Sequence, residues 1–266
     1  MTGPIWLSVG LAVFLWWFFT GAILLVVRLS DRLGGRAPLW ATLAGLPLLG
    51  GGALLVSLSL DDPSVTGIYA GFLGALAIWG WVELAFLTGV ISGWQRDNCP
   101  PGLAGWARFQ RAFATVGYHE LALATGALTL TLVSTGAANQ LALATYLILF
   151  LARITAKLNL FLGVPRINSD FVPVPLTHLK TYFRRGPVTW MFPLAITILT
   201  ALLAVCTERL WGAQTYATTT GYALLTALAA LALIEHWLMV IPLPDAKLWA
   251  WMLPSKTKTE GDENGL

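Results

Sequence analysis

The sequence predicts an all-α fold: a polytopic membrane bundle of seven transmembrane helices, N-terminus outside and C-terminus cytoplasmic. Three observations predict it. The chain is 57% hydrophobic and 11% charged over 266 residues, with a mean hydropathy of +0.72. Soluble domains hold about 45–50% apolar and about 25% charged residues. Apolar segments of about 20 residues, long enough to cross the hydrocarbon core, recur along the chain. Between them, Lys and Arg crowd into alternate loops.

The predicted spans are Ile5–Val27, Leu39–Leu60, Gly67–Ile91, Ala112–Val133, Asn139–Leu162, Val188–Cys206 and Thr218–Ile241. The first follows no basic n-region and precedes no A-x-A-type site, so it reads as a retained span rather than a signal peptide. Pro47 and Pro193 are expected to kink the second and sixth spans. Gly67–Gly71 is a G-x-x-x-G and Ala41–Gly45 a small-residue analogue; both offer close helix approach, with packing inside the bundle as the expected use.

Loop charge sets the direction. Arg28, Arg32 and Arg36 mark the first loop, and Arg96, Arg108 and Arg111 the third. Arg166, Lys180, Arg184 and Arg185 mark the fifth, and Lys247, Lys256 and Lys258 the tail. The second and fourth loops carry neither Lys nor Arg, and the sixth only Arg209. Odd loops and the C-terminus are therefore expected in the cytoplasm. Cys99 and Cys206 then lie at opposite ends of the bundle and should not pair. Residues 1–254 read as the membrane domain and 255–266 as a disordered polar cytoplasmic tail. Before the sixth span, Leu176, Leu179 and Phe183 share a helical face away from most of the nearby cations. That pattern fits a short interfacial helix, with an ordinary basic loop as the alternative.

Ionisable residues inside spans are the default functional candidates of a membrane protein. They are Glu83, His119, Glu120, Arg153, Lys157, Glu235 and His236. Glu83, His119, Arg153, Lys157 and Glu235 lie about five to nine residues inside their predicted cytoplasmic ends, or about 7–14 Å at 1.5 Å per residue. Four helices thus carry charge to one layer. Arg153 and Lys157, four residues apart, share a face and can pair with Glu83, Glu120 or Glu235. Lys157 can alternatively snorkel to the interface. The cluster reads either as a clasp fixing helix registry or as a pocket opening toward the cytoplasmic leaflet. In a pocket, neutral His119 and His236 have the chemistry to ligate haem iron or the magnesium of a chlorophyll-type ring; the alternative for each is a hydrogen-bonded packing histidine.

Catalytic signatures are sparse. His119-Glu-Leu-Ala ends at Leu123 where a zinc protease helix needs its second His. Every Asp falls in a predicted loop or the tail, and neither a G-x-S-x-G elbow nor a P-loop occurs. No inverted repeat relates the halves, which weakens a secondary transporter.

Several motifs recur together as in a known family. They are WGWVELAFLTG (Trp79–Gly89), CPPG (Cys99–Gly102), YHEL (Tyr118–Leu121), ARITAKLNLFLGVP (Ala152–Pro165), HLKTYFRRGP (His178–Pro187) and EHWLMVIPLPDAKLW (Glu235–Trp249). With them the chain resembles the photosynthetic complex assembly protein 2 family, the PuhE-type polytopic proteins of anoxygenic phototrophic bacteria. The resemblance implies a multi-pass protein of the bacterial inner membrane, cytoplasmic or intracytoplasmic. Its implied role is a scaffold that assembles the reaction centre and core antenna. It implies as partners reaction-centre or light-harvesting subunits or their other assembly factors, alongside membrane lipid. It also strengthens bacteriochlorophyll as the ligand of His119 and His236, and carries over no catalytic residues. Two other classes stay open: a membrane enzyme or enzyme subunit of tetrapyrrole metabolism, and a proton or small-solute carrier.

Overall fold

Glycine and proline decide where the spans begin, break and approach one another. The computed structural model describes residues 3–169 and 172–242; the expected tail at 255–266 lies outside the described residues. The helices are α1 (Gly3–Leu33), α2 (Ala37–Ala44), α3 (Leu46–Ser59), α4 (Val65–Leu87), α5 (Gly105–Ser134), α6 (Leu141–Leu162), α7 (Met191–Trp211) and α8 (Tyr216–Trp237). A 3₁₀ helix, Val174–Tyr182, separates α6 from α7. Among the described residues, seven segments are long and apolar enough to span a membrane, α2 and α3 together making one. Among the described residues the only β-bridge pairs Val164 with Arg185.

The two expected proline kinks turn out differently. Pro47 stands in the first turn of α3, and the second span breaks into α2 and α3 at Gly45. At Gly45 α4 side chains press close: a Cβ there would lie 2.9 Å from Leu84 Cδ2 and 3.1 Å from Trp81 Cδ1. The Trp81 indole donates to the Thr42 carbonyl at 3.1 Å, satisfying an acceptor beside the break. Pro193, by contrast, lies in the first turn of α7, where a missing N–H costs nothing. The sixth span is therefore unkinked there, and it runs on past Cys206 to Trp211.

α4 is the central post, packed on α1, α2, α3, α5, α6 and α8. Its small residues allow this. Gly52 of α3 and Gly74 of α4 meet backbone to backbone: a Cβ on Gly74 would lie 2.8 Å from the Gly52 carbonyl oxygen and 2.9 Å from Val56 N. Gly71 supports the same seam, beside Ser59 and Ala142. Gly67, its partner in the G-x-x-x-G, serves the helix start instead, because a Cβ would collide with the Asp62 carbonyl. There Ser64 caps Gly67 N at 3.3 Å, and the Ser64 hydroxyl and N–H hold the Asp62 carboxyl below its usual range.

Apolar side chains knit the bundle at several levels. Phe72, Leu76, Leu141, Ile148, Leu224 and Leu228 join α4, α6 and α8; Val56, Ala75, Leu130 and Tyr146 join α3, α4, α5 and α6. The odd loops meet at one end. Arg108 donates to the carbonyls of Phe161 (3.1 Å) and Tyr182 (2.6 Å), Tyr182 Oη to Asp97 O, and Val174 N to Asp31. The loop charges assign that end to the cytoplasm.

The short helix expected before the sixth span is the 3₁₀ helix, and its apolar edge packs on the bundle. Three-residue turns bring Leu176, Leu179 and Tyr182 to one edge. All three are buried, and the two leucines pack on Phe86 of α4. His178, expected on the polar side, is also buried. Cys99 and Cys206 are both free.

Two outcomes test this packing. Gly74→Leu should lower stability in detergent by about 1–3 kcal/mol through overpacking, read as the unfolding midpoint. Gly51→Leu, where a Cβ meets nothing within 4 Å, should leave the midpoint unchanged. Burial, reinforced by Arg96 and opposed by Asp97, draws the His178 pKa below its ordinary 6.5. A lowered folded pKa means the neutral ring contributes its stability fully above about pH 6.5 and loses it as pH falls through the folded value. Hydrogen exchange over residues 172–186 should therefore accelerate on acidification, and His178→Leu should flatten that response. A pH-independent wild type would contradict it.

Candidate functional site: a charged cavity

One helix face supplies the centre of the site. On α6, Arg153 and Lys157 are a single turn apart and point to the same side. Arg153 Nη2 donates to Glu83 Oε2 of α4 at 2.7 Å, and Lys157 Nζ to Glu120 Oε1 of α5 at 2.5 Å. Lys157 thus spends its ammonium on a carboxylate rather than on the headgroups. Phe86 of α4 lies against both cations, its centroid 5.8 Å from Arg153 Cζ and 5.3 Å from Lys157 Nζ. Three helices are tied together where hydrocarbon would make each charge costly alone, by about 2.5–3.5 kcal/mol on insertion scales.

The histidines separate. His119 is fully buried and stacks on Phe86 with centroids 4.1 Å apart. Neither ring nitrogen makes a hydrogen bond; Nε2 stands 3.8 Å from Glu83 Oε1, itself without a hydrogen-bond partner. A loop shields this ring. His119 N donates to Ser92 O, Gln95 N to Ala114 O, and Gly93 and Gly117 have no room for a Cβ between loop and helix. His236 of α8 packs against another face of α6. Its Nδ1 meets the Ala232 carbonyl at 2.8 Å and its Nε2 meets Thr155 Oγ1 at 2.9 Å. With Nδ1 donating, Nε2 must accept, so both nitrogens are engaged and the ring ties α8 to α6.

Glu235, the neighbour of His236, turns the other way. Its Oε1 accepts from the Trp16 indole of α1 at 2.9 Å. No cation of the described residues lies within ion-pair distance of it. It is exposed, and it stands among the residues that line a cavity between the helices.

That cavity, about 1060 Å³ and half-open, joins the charged residues into one site. Glu83, Glu120, Arg153, Lys157 and Glu235 all line it; His119 and His236 do not. Around them its wall is aromatic and aliphatic, with Trp16 and Phe19 of α1, Trp79 and Phe86 of α4, and Phe109 and Phe113 of α5. Leu176, Leu179 and Tyr182 of the 3₁₀ helix form its floor. α1 packs on α2, α4 and α8, and α5 on α4, α6 and the 3₁₀ helix; each lines a different side of the cavity. Trp16 and Phe86 are among the wall residues that sequence reasoning missed. Trp16 sits in an aromatic run like any lipid-facing one, and its partner is 219 residues away.

The fold and site define a multi-pass membrane protein with a large, mostly apolar cavity carrying two ion pairs and one unpaired carboxylate. The chain belongs to a family described as protein of unknown function (DUF3623), whose profile matches residues 2–260. It is 48% identical over 255 residues to a Rhodobacter capsulatus protein named "Uncharacterized 30.4 kDa protein in puhA 5'region". The alignment covers 96% of this chain and 93% of that one. No solved structure matches it.

The ion pair invites a direct test. Arg153→Leu strands the Glu83 carboxylate and should cost about 1–3 kcal/mol. That is less than a fully buried pair, because Arg153 remains a third exposed to the cavity. Adding Glu83→Gln should recover at least half of the loss, read from unfolding midpoints in one detergent. An unchanged midpoint for Arg153→Leu would mean that the arginine reaches for headgroups.

Proposed function

We propose that the protein is an assembly factor for the photosynthetic reaction centre and core antenna in the bacterial inner membrane, and that its cavity holds a bacteriochlorophyll while the complex is built. The observation that carries this reading is the cavity. Ligand sites usually measure about 300–1000 Å³ and are mostly apolar with a few placed polar groups. At about 1060 Å³, this one has the volume for a large flat amphipathic molecule. The aromatic side chains of its wall suit a ring system, and the charged layer offers contacts for the polar edge.

The process is supported by the relative, whose name places its gene in the region 5′ of puhA. The donors on the cavity wall are carboxylates rather than imidazoles: His119 lies behind Phe86 and His236 has both nitrogens engaged, whereas Glu83, Glu120 and Glu235 line the cavity. A holder is favoured over a carrier because apolar clusters fill the bundle between α4, α6 and α8, and the 3₁₀ helix caps the cavity floor.

Purification in mild detergent from a phototrophic host is the test. The protein should carry a near-infrared bacteriochlorophyll band at about one pigment per chain. It should also bring down reaction-centre or antenna subunits. A colourless protein without such partners would contradict the reading.

A further inference from the structure

The two histidines are the obvious candidates for an axial ligand, yet neither lines the cavity. Glu235 does, and its situation is unusual. Two of the three carboxylates in the layer are matched by Arg153 and Lys157 within 2.7 Å. Glu235 has only the Trp16 indole on Oε1. It stands two residues from the end of α8, on the cavity wall, with no cation of the described residues within ion-pair distance. A carboxylate left unpaired inside a span is costly, and the cavity is where an electropositive partner can arrive.

We infer that Glu235, oriented by Trp16, is the group that binds the metal centre of the cavity ligand, through the carboxylate oxygen that the indole leaves free. Magnesium is a hard cation and takes oxygen donors, carboxylates above all. A ring-bound magnesium keeps an axial position for such a donor. Trp16 fixes the carboxylate by holding one oxygen, which is how an outer partner orients a metal ligand. This assignment rests on the proposed function, since it takes the ligand to be a magnesium tetrapyrrole. It makes Glu235 the binding residue and leaves His119 as a buried packing ring.

Three probes separate the possibilities: bacteriochlorophyll a, its magnesium-free counterpart bacteriopheophytin a, and MgCl₂ alone. Each is titrated into the purified full-length protein in detergent, following tryptophan fluorescence. Wild type should bind bacteriochlorophyll. Glu235→Gln, close to isosteric and still able to accept from Trp16, should weaken that binding at least 10-fold and leave bacteriopheophytin binding within 2-fold. His119→Ala should leave both unchanged. Resonance Raman bands that report magnesium coordination should shift in Glu235→Gln alone. Equal binding of bacteriochlorophyll by wild type and Glu235→Gln overturns the assignment while sparing the pigment reading. Loss of binding in His119→Ala with Glu235→Gln intact does the same. A Glu235-dependent response to MgCl₂ with no response to either pigment overturns the ring and leaves a free-cation site. No response to any probe overturns both. Matching unfolding midpoints of the variants exclude a folding defect as the cause of lost binding.

Discussion

Two ion pairs on one face of α6 are the constraint from which the rest of the architecture follows. Arg153 and Lys157 cannot stay in hydrocarbon alone, so α6 must lie where α4 presents Glu83 and α5 presents Glu120. That requirement fixes the rotation of three helices at once. It also explains the local chemistry. Phe86 offers its ring to both cations and to His119, so a single aromatic side chain fills the space between charges that cannot touch. Elsewhere the helices are free to pack by small residues, as Gly52 and Gly74 do.

A charged layer of this kind resists close packing, because each ion needs its partner at a set distance and angle. The apolar clusters of α4, α6 and α8 interlock; beside the charges the wall stands back and leaves about 1060 Å³. The same residues that hold the helices in register therefore hold a cavity open. Glu235 is consistent with this division. It takes no part in the clasp, and its carboxylate faces the space that the clasp creates.

Much of this was legible in the sequence. Seven apolar runs and alternating loop charge give the spans, and counting residues from the expected span ends puts Glu83, Arg153, Lys157 and Glu235 in one layer, although α4 and α8 end earlier than expected, at Leu87 and Trp237. Depth is one coordinate of three, however. It does not say that His236 turns toward Thr155 while Glu235 next to it turns toward Trp16. Those directions come from the azimuth of α8 against α6 and α1, which is set by tertiary packing. The short helix before the sixth span was legible as an element, but not what its apolar edge meets. Leu176, Leu179 and Phe183 suit a lipid interface and a protein surface equally well, and composition cannot tell one apolar environment from the other. Pro193 was misread because a break at the start of a helix and a kink within it look alike until the first turn is located.

In the proposed function, the clasp of α6 maintains the cavity that photosystem assembly would use. The most direct measurement exchanges one pair of charges in a strain lacking the gene and counts reaction centres by light-induced bleaching in isolated membranes. Lys157→Glu alone and Glu120→Lys alone should each depress the reaction-centre content several-fold. The double exchange, which restores the pair with its polarity reversed, should return it to near the wild-type level. If the single variants support full reaction-centre content, the clasp has no part in assembly and the account fails.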